Sequence, residues 1–90
     1  MEAAVIRAHA RQFELGAEEV REQARRLVAA GTVRWRSAAA ERYRWQLQQR
    51  HRELRRVAEA LDAAASALRR YAAELEAAAG PVALVSGLLP

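Results

Sequence analysis

Residues 31–47 read GTVRWRSAAAERYRWQL, and the fold turns on how this stretch is interpreted. On both sides of it the chain is built from strong helix formers, alanine, leucine, glutamate and arginine. Within it, Gly31 stands where a helix C-terminal glycine belongs and is expected to supply the left-handed conformation that ends a helix. Thr32 and Val33 favour extended backbone. Ser37 then stands where a cap belongs, its hydroxyl placed to accept a bond from the backbone N–H of residue 39 or 40. The stretch therefore reads as a turn, 31–37, between one helix over 2–30 and a second over 38–79.

The first helix carries Ile6, Phe13, Val20 and Leu27 at seven-residue spacing, with Ala3, Ala10, Ala17 and Ala24 at the alternate positions. Together these make a 3-4-3-4 stripe, large residue beside small, that lets a partner helix come close. Gly16 interrupts the pattern and should cost about 1 kcal/mol relative to alanine. The second helix carries Leu47, Leu54, Leu61, Leu68 and Leu75 at the same strict spacing. Its alternate seam is expected at Tyr43, Arg50, Val57, Ala64, Tyr71 and Ala78, with Arg50 discordant. Beyond Val57 the flanking positions Ala58, Ala60, Ala65, Ala67 and Ala72 are apolar too, which widens the face beyond a two-helix seam.

A helix over 38–79 would span roughly 63 Å, and one over 2–30 about two-thirds of that. An antiparallel hairpin would then leave apolar area on the longer helix uncovered. The expected architecture is all-α: a two-helix antiparallel hairpin that dimerises into a four-helix bundle. Ile6, Phe13, Val20, Leu27 and the five leucines form the hairpin and dimer core. Pro81, just after Gly80, is expected to stop the second helix. Residues 80–90 then make a flexible apolar C-terminal tail beyond a hairpin of residues 1–79.

Composition narrows the function. The chain has 90 residues, enough for one small domain, and no cysteine, which excludes disulfides, thiol catalysis and thiolate metal sites. Its net charge of +4 is uneven. All 15 basic residues are arginine, eight of them lie within residues 34–56, and only Glu41 and Glu53 oppose them there. Residues 1–30 lack the apolar core of a secretory signal peptide, and no stretch is apolar enough to be expected to span a membrane. His9 and His51 are the only histidines, neither with a ligand-type partner at a credible spacing, and no glycine-rich phosphate loop is present. No catalytic residue, cofactor or metal site is expected, and the chain does not read as an enzyme.

The turn also carries aromatic residues. Trp35 is placed to fold its indole over the last hydrophobic layer near Leu27, Val28 and Tyr43. Trp45 lies away from the leucine row among Arg42, Gln48, Gln49 and Arg52. It is flattened on arginine stems, packed on the second apolar face, or presented to a partner or dimer mate, since tryptophan beside arginine is a common hot-spot composition.

Trp35-Arg36-Ser37, then Ala39, Ala40 and Tyr43, the leucine ladder and the terminal RRYAAELEAAA together resemble the WXG family. These are small helical-hairpin substrates of type VII (ESX) secretion in actinobacteria and firmicutes. The resemblance covers residues 1–79. It implies a hairpin that pairs with itself or with a similar helical-hairpin protein, recognition through Trp35, Ser37, Tyr43 and Trp45, and an FtsK-type secretion ATPase as a further partner. It also implies cytoplasmic residence before export without a signal peptide. Ser37 occupies the position of the family's glycine, which exchanges a flexible residue for a cap. Four residues on from Tyr43 and Tyr71 stand Leu47 and Leu75, so neither tyrosine begins a Tyr-x-x-x-Asp/Glu export signal, and a partner chain would supply it. The competing expectation is a cytosolic regulator that binds nucleic acid through the basic segment 34–56. A basic leucine zipper is the narrower form of that idea, but it leaves the first amphipathic helix without a role.

Overall fold

The computed structural model describes residues 2–31 and 37–88, with the backbone alone described over 80–88. It consists of two helices, α1 over Glu2–Ala30 and α2 over Ala38–Leu88, packed antiparallel as a hairpin. The rod they form measures 82 × 13 × 12 Å. At about 1.5 Å per residue, the 51 residues of α2 account for most of that length.

Both helices start and stop for local reasons, two of which differ from the sequence expectation. At the start of α2 the Ala40 N–H donates to Ser37 Oγ at 3.1 Å, and the Glu41 N–H donates to the Ser37 carbonyl at 3.0 Å. Ser37 is thus an N-cap, satisfying one of the orphan donors of the first turn. Gly31 is not left-handed, because no described residue has a positive φ. Its N–H donates to both the Leu27 and Val28 carbonyls at 3.1 Å, which closes the last turn of α1. The second difference is at the far end. α2 does not stop at 79; it runs through Gly80 and Pro81 to Leu88. Proline's fixed φ suits a helix, and its cost is the missing donor to the Ala77 carbonyl. Ala77 is exposed, so water can replace that donor. Glycine before the proline also removes the Cβ that normally crowds a helical pre-proline residue.

The core is made of alanine. Among the described residues, Ala10, Ala17 and Ala24 on α1, and Ala40, Ala58, Ala65 and Ala72 on α2, are the buried hydrophobic residues, and no large side chain is fully buried. The leucine row 47, 54, 61, 68 and 75 is half-buried, as are Ile6, Val20 and Leu27. The second seam row of α2 therefore stands four residues after each leucine, at His51, Ala58, Ala65 and Ala72. It does not stand three residues after, at the Tyr43, Arg50, Val57, Ala64 and Tyr71 positions. Small residues on both helices allow a close approach of the two backbones, with leucines wedged along one side of the contact.

Candidate interaction surface

The two long edges of the hairpin differ in kind. Along one edge, three ion pairs link the helices. Arg7 and Glu76 form a bidentate pair, with Arg7 Nη2 donating to Glu76 Oε2 at 2.9 Å. Arg69 Nε donates to Glu14 Oε1 at 2.6 Å. Arg21 donates to Asp62. On α1 the sign runs plus, minus, plus at seven-residue intervals, and on α2 it runs minus, plus, minus. Every pair has residue numbers that sum to 83, which fixes the antiparallel register. The Arg7 guanidinium holds the Glu76 carboxyl below its ordinary range, chiefly by hydrogen bonding, with a smaller charge effect and partial opposition from desolvation. The same pair raises the pKa of Arg7. Within α1, Arg25 donates to Glu22 at 3.0 Å and, with Arg26 adding a weaker charge effect, lowers the Glu22 pKa.

The opposite edge has no such ladder. It is bordered on α1 by Ile6, Phe13, Val20 and Leu27 and the row His9, Gly16, Gln23. On α2 it is bordered by the displaced row Tyr43, Arg50, Val57, Ala64 and Tyr71 with Ala60 and Ala67 beyond. Phe13 is 38% exposed, Tyr43 47%, Val57 48% and Tyr71 52%. The charges in its middle, Arg50 and Glu53, pair with each other at 3.3 Å. One edge of the hairpin is closed by charge, and the other is open and apolar.

Of the residues nominated from sequence, the structure brings the Leu47–Leu75 row against α1 and places Tyr43 on the open edge. Trp45 is 61% exposed, on the back of α2 in the same row as Arg52. Trp35 lies outside the described residues. At the end of α1, a cleft of about 350 Å³ opens between Leu27, Val28 and Gly31 on one wall and Arg44, Leu47 and His51 on the other. Arg42, Arg52, Arg55 and Arg56 are exposed on α2, with no ion-pair partner among the described residues. The ladder residues were not picked out from sequence, although their seven-residue spacing and alternating sign were visible there.

Among the described residues no group of three or more His, Cys, Asp or Glu is arranged to hold a metal ion. No described helix is long and apolar enough to cross a membrane. The class this geometry defines is a small all-helical domain, an antiparallel hairpin with one open apolar edge, suited to protein interaction. No protein-family model, curated protein or solved structure matches the chain.

Proposed function

We propose that this chain is a non-enzymatic helical-bundle interaction protein, acting as a substrate or pairing partner in type VII secretion. The observation that carries the reading is the hairpin itself. Its two long helices meet at a break that contains the Trp-x-Ser motif, and the motif's last residue, Ser37, caps α2. The half-buried leucines support it further, since a two-helix rod of this kind leaves apolar surface that a second hairpin covers. The exposed Tyr43 and Trp45 would serve recognition near the turn, together with Trp35 of the motif.

The test is export. Expressed with an epitope tag in an actinobacterial host carrying a type VII system, the chain should be recovered from the medium. Recovery should depend on the FtsK-type ATPase and fall with Trp35→Ala. Recovery indifferent to the ATPase, or none with any co-expressed hairpin partner, would overturn the reading. A second reading is favoured by Arg42, Arg52 and Arg56, exposed and without an ion-pair partner among the described residues: a nucleic-acid surface on the back of α2, bordered by Arg55 at the ladder side. It requires retention on DNA or heparin with a steep loss as salt rises.

A further inference from the structure

We infer that the recess between Arg21 and Arg25 on α1 and His51 and Arg55 on α2 is an anion site that takes a phosphoryl group, as inorganic phosphate or a small phosphomonoester. The site stands apart from the pairing role and from the export route.

The ladder points to it. At seven-residue intervals along α2 the signs run minus at Glu76, plus at Arg69, minus at Asp62 and plus again at Arg55. The first three meet an opposite charge on α1. In the same register, with residue numbers summing to 83, Arg55 stands opposite Val28, which is 55% exposed. The fourth rung therefore has its cation and lacks its acid. Arg55 has no ion-pair partner among the described residues.

The surroundings supply further donors. Beside this rung a recess of about 210 Å³ is lined by Arg21, Ala24, Arg25, His51 and Arg55. Arg21 donates to Asp62 through Nη2, and Arg25 donates to Glu22 through Nε and Nη2. The two acids orient these guanidinium groups and leave Nη1 of each without a hydrogen bond among the described residues. Three arginines against two acids leave one positive charge without a counterpart, and Arg55 carries it. A guanidinium fork matches carboxylate or phosphate oxygens through two parallel bonds. A carboxylate has two oxygens to share, whereas a phosphoryl group offers three strong acceptors, one for each arginine of the recess. The number of arginines lining one small space thus favours the phosphoryl group.

The test is an NMR titration of the full chain with inorganic phosphate at neutral pH, with ionic strength held constant by chloride. Saturable shifts should centre on the amides of Ala24, Arg25 and His51 and on the Arg55 Nε–H. Arg55→Gln should weaken binding about tenfold, the loss of one charge-assisted bond. Val28→Glu should weaken it at least as much, because the missing acid of the fourth rung is then supplied from within, while Val28→Gln should not. Arg70→Gln removes a charge from an exposed site elsewhere on α2 and should leave the affinity within about twofold, as expected where exposed charges are screened. Circular dichroism should show the same helix content in all four variants. Glycerol 3-phosphate separates the two sources: tighter binding than phosphate makes the monoester the ligand, and otherwise the free ion is. Shifts that never saturate overturn the proposal, as does an affinity unchanged by both Arg55→Gln and Val28→Glu. So does an equal loss in Arg70→Gln, which would mean general attraction to a basic chain. Acetate that binds as tightly as phosphate overturns the phosphoryl assignment.

Discussion

Gly16 has the poorest helix propensity in α1, and a methyl group placed there would meet Leu61 Cδ1 at 3.6 Å, an ordinary contact. Gly16→Ala should therefore stabilise the hairpin by about 0.5–1 kcal/mol, read as a rise in the thermal midpoint by circular dichroism. Its neighbour Ala17 is the opposite case, with no exposed surface at all. Ala17→Leu should force the helices apart and cost about 1–3 kcal/mol, lowering the midpoint in the same measurement. These two positions show what single residues reveal in advance. Ser37 was legible as a cap because the hydroxyl and its spacing to residue 40 state the interaction. Gly31 was not, because glycine serves both a left-handed turn and a close approach. Here a methyl group at Gly31 would lie 3.7 Å from Leu47 Cδ1, an ordinary contact, and its φ is not positive, so the structure uses neither property.

Whole helices were legible from their seven-residue period, and α1 came out with the boundaries its sequence implies. The second seam row of α2 was not legible, for a definite reason. Beyond Val57 the positions three and four residues after each leucine are both apolar, so hydrophobicity on one helix cannot choose between them. The choice is made by the ladder on the other side, which turns the Asp62, Arg69 and Glu76 row toward α1. The ladder itself sets register more than it adds stability, since its members are substantially solvent-exposed. A Glu14→Ala, Arg69→Ala double-mutant cycle should return a coupling of roughly 0.2–1 kcal/mol, falling in high salt. The acid limb follows from Glu76 and Glu22, both held below the ordinary carboxylate value of 4.5 by arginine. Their contribution is complete above that value and is lost as pH falls through the lower folded-state values. The thermal midpoint should be flat on this account from neutral pH to about 5 and decline below about 4.5. Arg7→Gln should weaken the decline.

Taken whole, the molecule is a rod of 82 × 13 × 12 Å whose longer helix overruns its partner. The register that sums to 83 puts Glu2 opposite Pro81, so residues 82–88 of α2 continue past the start of α1. Deleting residues 82–90 should shift the thermal midpoint by less than about 4 °C, the low-end effect of about 1 kcal/mol in a domain of this size. The unequal lengths were readable from the unequal extent of the two apolar stripes, though α2 proved longer still once the glycine–proline pair failed to end it. The make-up of the open edge was not readable from one helix at a time. It depends on which row faces outward, and that emerges only after the two helices are set against each other. The alternating signs of the ladder have one more effect. Slide either helix by seven residues and Arg7 confronts Arg69 while Glu14 confronts Asp62; slide it the other way and Glu14 confronts Glu76 while Arg21 confronts Arg69. An alanine interface alone, repeating every heptad, would fit almost as well after such a slip. Like the wards of a key, the six charged side chains admit one alignment and turn away its nearest neighbours on either side.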